Sequence, residues 1–409
     1  MLSLIRVPVF RRVWFGQLVS MIGDGVYTVA VTLYLLGRND ASHALGTLLG
    51  STALGTVLAL TVGGAIADRS RRSLVVVAAD ALRAAAIGCL LVAGSDAHLL
   101  SLAAIGTIFG LGAGLHRPAY AALLAELGGR EKRREVSALR SATSRFAAVL
   151  GPAIGGWIAA SWDSVTAILV DVCTFAISVI TLVALRETKP PKEGAERPGI
   201  LREAAEGVGY VVRQRWMFAI MLQGTAQAAL VAAPVAVLLP FVAGHRGAAS
   251  LSMVTSAEAL GSLAASLLSS RLRPNRPGAV ALGSLLLELP LLIAMMLDST
   301  TLVIAACSAM AGAGMGIFAV IWGSALQERT PVGMMGRVFA LDSLLMSAVS
   351  PVFVAMAGYA IGTFSVSSIC AFAAVSLVVT VVGVLPFPGV LKFGAETPAH
   401  EAQPAPLKG

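Results

Sequence analysis

Twelve runs of about twenty apolar residues, broken by short polar connections, fill most of this 409-residue chain. An α-helix needs about twenty residues to cross a ~30 Å hydrocarbon core. Within that core only helices and closed barrels satisfy their own backbone groups. The runs predict spans at about 13–36, 45–67, 74–94, 99–122, 138–160, 164–185, 216–241, 250–270, 278–297, 301–326, 338–361 and 364–386. Only 13% of residues are charged and the mean hydropathy is +0.83, which leaves too little polar surface for a chain dispersed in water. The 42 glycines suit helices that pack closely in lipid. The expectation is an all-α membrane protein of twelve transmembrane helices in two six-helix halves. The halves fall at 1–185 and 216–386, joined by a cytoplasmic linker at 186–215 and followed by a disordered tail at 387–409. The first run is too long for a cleavable signal peptide and carries Asp24 at its centre.

A formal charge of +8 raises nucleic acid as a partner, and the placement of the charge argues against it. Arg6, Arg11 and Arg12 precede span one, and alternate connections carry Arg69, Arg71, Arg72, Arg130, Lys132, Arg133, Arg134, Arg186, Lys189, Lys192, Arg197, Arg271, Arg273, Arg276 and Arg329. The opposite connections hold only Arg38 and Arg246. The positive-inside rule then puts both termini in the cytoplasm and the chain in the cell (inner) membrane. After Pro190 and Pro191 the linker becomes amphipathic, with Ile200, Leu201, Ala204, Ala205, Val208, Val211 and Val212 at near-helical spacing, as in a helix lying on the membrane surface. Cys89, Cys173, Cys307 and Cys370 stand singly in separate runs, so no disulfide framework or metal site is expected.

One register relates the two halves. Gly110, Gly112, Gly114, Tyr120, Leu124 and Glu126 recur as Gly312, Gly314, Gly316, Trp322, Leu326 and Glu328, each 202 positions later (328 − 126 = 202). The same offset carries Val136, Ala138, Leu139 and Ser141 onto Val338, Ala340, Leu341 and Ser343, and Trp14 onto Trp216. Two halves of equal orientation imply parallel repeats about an axis along the membrane normal, with a substrate site between them.

The stretch Gly64-Ala-Ile-Ala-Asp68-Arg69-Ser-Arg71-Arg72 resembles the GxxxDRxxRR signature of the major facilitator superfamily. Gly151-Pro152-Ala-Ile-Gly155-Gly156 resembles the GPxxGG motif of its drug:proton antiporters. The opening Phe10-Arg11-Arg12-Val-Trp14, with Gly16-Gln17-Leu18, Gly23-Asp24-Gly25 and the later Gly336-Arg337-Val338-Phe339, is similar to the branch that holds macrolide-efflux and enterobactin-export proteins. The resemblance implies that spans one, four, seven and ten line a cavity. It implies that Asp68 meets the start of span eleven near Arg337, a cytoplasmic gate formed with Gly64, Arg69, Arg71 and Arg72. It also makes Gly151, Pro152, Gly155 and Gly156 a hinge and seal in span five. Span four lacks the RxxxQG pattern of many such antiporters, so an arginine-based proton relay does not transfer. Ser270 stands where Asp68 would recur, so the signature is degenerate in the second half.

Ionisable groups inside spans are the candidate working parts, since they are costly there. Asp24 in span one reads as a proton-coupling carboxyl or a contact for a cationic substrate, or else as a carboxylate capped by neighbouring helices. Glu258 in span eight is the second candidate. Gln223 and Gln227, four apart in span seven, share a face and serve either substrate or helix association. Glu288 and Asp171 lie on peripheral spans and are weaker candidates. Asp80 and Arg83, three apart, neutralise each other. Arg140 and Asp342, of opposite charge at equivalent repeat positions, are a candidate pair across the halves. No GxxxxGK[ST], GxSxG or HExxH occurs, so neither ATP hydrolysis nor an enzyme is indicated. The expected function is a secondary transporter with no cofactor, a monomer in lipid that uses a proton gradient to expel amphiphilic small molecules. Import or lipid movement on the same fold, or a non-transporting sensor, are the alternatives.

Overall fold

Each apolar run folds as a helix, because a segment surrounded by hydrocarbon must pair its backbone N–H and C=O groups internally. The computed structural model of the chain describes residues 4, 6–129, 132–183, 185, 200–269, 274–331 and 333–393, with the side chains at 61–69, 133, 134 and 200–205 outside that set. The first half comprises α1 (Pro8–Leu36), α2 (Ala41–Arg69), α3 (Arg72–Ala93), α4 (Leu99–Gly128), α5 (Arg133–Ser161) and α6 (Ser164–Val183). A connecting helix, Ile200–Arg213, leads into the second half. There follow α7 (Arg215–His245), α8 (Ala248–Ser269), α9 (Pro277–Met296), α10 (Thr301–Arg329), α11 (Met335–Thr363) and α12 (Val366–Val384). Eleven of these are long and apolar enough to cross a membrane by themselves. The twelfth, α5, has the length at 29 residues, but its first half carries Arg133, Arg134, Glu135, Arg140 and Arg145.

Two spans change pitch at prolines. Pro234 has no N–H to offer the preceding turn, and α7 widens to a π-helical turn over Ala228–Ala232, just after Gln227. Pro290 does the same in α9, where Leu286–Glu288 tighten to a 3-10 turn that carries Glu288.

The glycine triplets show why the repeat register exists. A Cβ on Gly110 or Gly114 would fall 2.0–2.6 Å from Thr52 and Thr56 carbonyl oxygens of α2, and one on Gly112 would strike Ala79 of α3 at 2.7 Å. Their partners repeat this: Gly312 and Gly316 abut Glu258 and Ser262 of α8, and Gly314 abuts Ser284 of α9. Backbone contact this close is possible only without side chains. The two arginines of the basic-poor connections, 208 positions apart (246 − 38 = 208) and so off that register, make matching contacts. Arg38 pairs with Asp40 at 2.6 Å and donates to the carbonyls of Ser95 and Ala97 in the α3–α4 connection. Arg246 pairs with Asp298 and donates to the Ser299 carbonyl in the α9–α10 connection. Each ties two connections of its own half together, and the Arg38 hydrogen bond holds the Asp40 carboxyl below its ordinary range.

The halves meet toward the arginine-poor end. Gly46 and Gly358 touch backbone to backbone (a Cβ on Gly358 would lie 2.4 Å from the Gly46 Cα), Gly50 packs on Pro351 and Ala355, and Gly156 packs on Ala248 and Ser252. Ser256 donates to the Val149 carbonyl at 3.2 Å, and the His43 ring lies 4.7 Å from that of Tyr359. In α11 the buried positions after Val338 are Pro351, Val354, Ala357 and Gly358, all in its arginine-poor portion. Among the described residues the halves are therefore packed together at that end and apart along α11 toward the other.

Two expectations change here. The connecting helix docks on the second half as well as presenting an apolar surface: Val211 is buried while Val208 and Val212 are exposed, Glu206 pairs with Arg337 at 2.6 Å, and the Tyr210 hydroxyl donates to the Arg329 carbonyl. The chain is also packed beyond 387. Val390 and Phe393 are buried, and the Phe393 ring lies 5.8 and 5.6 Å from those of Trp216 and Trp322, because this aromatic group would otherwise expose its apolar surface. The expected disorder after Phe393 lies outside the described residues.

Candidate functional site

Asp24 lies midway along α1, and its neighbours come from α3, α4 and α6. Gly23 lets α6 in so closely that a Cβ there would sit 2.1 Å from the Thr174 hydroxyl and 2.3 Å from a carboxyl oxygen of Asp171. Gly112 of α4 clears the path of the Arg83 stem, whose Cγ would be 2.7 Å from a Cβ at that position. Through this gap Arg83 reaches Asp24 and donates from Nη1 to both carboxylate oxygens at 2.8 and 2.9 Å. Its Nη2 donates to Asp80, and the guanidinium carbon stands 4.4 Å above the Phe175 ring. The expected local pair of Asp80 and Arg83 does form. Asp24 is held by a neighbouring helix, since Arg83 bridges the two carboxylates.

Behind this bridge runs a chain of hydrogen bonds. Ser178 donates to Asp80, Gln17 donates to Ser178, and His116 Nε2 meets Gln17 Oε1 at 2.7 Å. Asp80 is fully buried and Arg83 is 2% exposed, whereas the Asp24 side chain is 39% exposed. Asp171, also buried, accepts from Thr174 at 3.1 Å and has one carboxyl oxygen without a partner. Its place beside Gly23 brings a peripheral-span residue into the set. Two carboxylates thus share one guanidinium with a third carboxyl, Asp171, packed beside Asp24 at Gly23, and of the three only Asp24 opens onto space. That space is a cavity of about 670 Å³ between α1, α3, α4 and α5, with Asp24, Arg83, Arg117, Tyr120, Arg140 and Arg145 on its wall.

Sequence reasoning missed His116, Gln17 and Ser178 as members of the site. Their signal was present, since polar side chains at mid-span depth in three helices point toward one another more often than toward lipid. It also missed Arg117 and Arg145.

In the second half Gln223 and Gln227 share a face as expected and bond to each other at 2.7 Å. Gln223 Oε1 is buried without a partner. Glu288, carried inward by the 3-10 turn, interacts with the Gln227 side chain and with the charge of Glu258, so it stands with the central candidates and not apart from them. Arg140 and Asp342 do not pair: Asp342 accepts from Trp322 Nε1 at 3.2 Å, while Arg140 faces the first-half cavity.

The gate residues are seen in part. The side chains of Gly64, Asp68 and Arg69 lie outside the described residues. Arg71 is exposed at the start of α3, Arg72 pairs with Glu126 at 2.7 Å, and Arg337 pairs with Glu206 of the connecting helix. In α5, Gly151 lies against Gly25, Gly155 against Val26 and Gly156 against the opposite half. Among the described residues no group of three or more His, Cys, Asp or Glu side chains is placed to hold a metal ion.

Comparison with known proteins places this arrangement. The chain is 26% identical over 346 residues to the enterobactin exporter EntS of Shigella flexneri, covering 83% of this chain and 82% of that one. It is 27% identical over the same length and shares to EntS of Citrobacter koseri. Among solved structures it superposes on the nucleoside transporter NupG with a TM-score of 0.72 at 10% identity, covering 92% of this chain and 98% of the other. It superposes on a bacterial homologue of the iron transporter ferroportin in an inward-facing state with a TM-score of 0.68 at 16% identity, covering 92% and 97%. The sequence model of the Major Facilitator Superfamily matches residues 13–354, and this chain belongs to that family.

Proposed function

We propose that this chain is a secondary active exporter of amphiphilic small molecules of the siderophore kind, working by alternating access and driven by proton antiport through Asp24. The observation that carries the reading is the position of Asp24, held by a buried Arg83 on one side and open to the cavity on the other. Asp24, Asp80 and Asp171 together bring more negative charge than Arg83 offsets. Excess charge away from water is expensive, and a proton on one carboxyl lessens it. Asp24 is the member that cavity water reaches, so it is the one that exchanges. Loss of that proton lets the ionised Asp24 hold Arg83, and this ion pair distinguishes the substrate-loading form from the proton-carrying one.

The family frame supports transport, and the sequence relatives, named as exporters, favour outward movement. One structural neighbour is named as a D-xylose–proton symporter, so the same frame also serves movement of solute with the proton. With the arginine-rich end in the cytoplasm, as the charge bias gives, the termini and the open mouth face inward and the cavity loads from the cell interior. Gly156, at the seam between halves, and Gly151 and Gly155, against α1, form the hinge face in span five. Asp68 and Arg337 belong to the gate that closes in the opposite state. The chain acts as a monomer in lipid.

Flux in inverted membrane vesicles tests this reading. An acid-inside gradient is expected to drive uptake of fluorescent efflux substrates at least about tenfold above the rate without a gradient, and an uncoupler is expected to collapse it. Flux indifferent to both would remove proton antiport from the account.

A further inference from the structure

The wall around Asp24 is strongly cationic. Four guanidinium groups line this cavity, from Arg83, Arg117, Arg140 and Arg145, against the one carboxylate of Asp24. Arg83 is already engaged by Asp24 and Asp80. The other three form no ion pair within 4.0 Å among the described residues, although the charge of Arg117 is felt at Asp24. These arginines do not simply mark the cytoplasmic side. At 1.5 Å per residue, Arg145 lies about 10 Å and Arg140 about 3 Å inside the span that begins near 138. With Arg133, Arg134 and Glu135 they make the first half of α5 too polar for a membrane helix by composition, and a charge inside a span is costly. A second observation points to a ligand. Tyr120 lines the same cavity, its ring 5.6 Å from that of His116. It is 3% exposed, and its hydroxyl has no hydrogen-bond partner.

We propose that this wall recognises an anionic group on an amphiphilic substrate, such as a carboxylate, sulfonate, phosphate or acidic phenol. Arg117, Arg140 and Arg145 are its ligands, and the Tyr120 hydroxyl is a further donor. Guanidinium groups suit this role because their planar forks match oxyanions and stay charged. Asp24, bound by Arg83, is not available to a cation, so the substrate class is acidic amphiphiles and not the organic cations a lone carboxylate would suggest. The assignment rests on the transport reading above, but it concerns binding alone and is tested without a gradient. Failure of proton coupling and failure of anion recognition therefore give separate results.

Two dyes with one skeleton decide it: 8-anilinonaphthalene-1-sulfonate, which is anionic, and N-phenyl-1-naphthylamine, which is neutral. Full-length protein is placed in phosphatidylcholine nanodiscs containing some phosphatidylglycerol, and protein-free discs are subtracted. The sulfonate is expected to bind at least about tenfold tighter than the amine, the size of one or two charge-assisted hydrogen bonds. The triple variant Arg117→Gln, Arg140→Gln, Arg145→Gln is expected to lose that preference while retaining amine binding, and the triple lysine variant is expected to keep most of it. Native mass spectra identify the source of the anion. Phosphatidylglycerol retained by wild type and lost by the glutamine variant marks a lipid headgroup; no retained lipid marks a soluble anion. Equal affinity for the two dyes, or an equal loss of both in the variant, overturns the proposal. Should the glutamine variant fail to purify, the wild-type dye ratio decides alone.

Discussion

Arg83→Leu is expected to destabilise the first half by about 3–5 kcal/mol, the cost of removing one partner from a buried charge network. The guanidinium holds Asp24 through two hydrogen bonds, meets Asp80 through a third, and covers the Phe175 ring. Leucine fills much of the volume but leaves Asp80, wholly buried, with only the Ser178 hydroxyl and a distant His116. Thermal unfolding of the purified protein reads this as a large fall in Tm. The double variant Arg83→Leu, Asp80→Leu is expected to recover a substantial part of the loss, since apolar replacement of a whole buried ion pair is often near neutral. Asp24 then faces cavity water, which solvates it. Unchanged unfolding of the single variant would mean that the carboxylates are compensated in some other way.

Gly358→Val is expected to reduce transport at least about tenfold by preventing closure of the arginine-poor end. Backbone lies on both sides of this contact, so the clash cannot be relieved by a rotamer change. An added Cβ would stand 2.4 Å from the Gly46 Cα and 2.6 Å from the Ser42 carbonyl oxygen, and overpacking of this kind commonly costs ~1–3 kcal/mol. Alternating access amplifies that penalty, because only one of the two states carries it. Spin labels at Asn39→Cys and Ser365→Cys, both exposed sites at that end, in a background lacking the native cysteines, should move apart in the variant. Unchanged label distances with unchanged flux would show that the closed end tolerates the bulk.

The repeat was the most legible feature of the chain. Its offset maps the first residues of α4, α5 and α6 (Leu99, Arg133 and Ser164) onto those of α10, α11 and α12 (Thr301, Met335 and Val366), since close-packed glycines fix helix registers that a half cannot shift alone. The positions of Asp24, Gln223 and Gln227 were legible too, because a polar group in an apolar run stands out. Their partners were not. Arg83 is three residues from Asp80, so spacing suggested a local pair. Its reach to Asp24 depends on α4 passing close enough at Gly112, which no one-dimensional spacing records. Glu288 was assigned to the periphery by span number, and only the tightened turn before Pro290 brings it toward Gln227. Arg140 and Asp342 share a repeat position, yet equivalence under a symmetry axis does not imply contact across it. Phe393 was hidden by the Pro-rich character of the tail that follows it.

The central claim is that Asp24 carries the coupled proton, and Asp24→Asn separates this from a packing role. Asparagine keeps the shape and a carbonyl acceptor for Arg83 but cannot take up a proton as the carboxyl does. Two rates are compared in vesicles holding wild type or variant: gradient-driven uptake, and exchange of labelled for unlabelled substrate with no gradient. The account predicts that the variant loses gradient-driven uptake by more than about tenfold while exchange stays within about threefold of wild type. Gradient-driven uptake that survives the substitution, or loss of both rates in a variant that folds as wild type does, would contradict it.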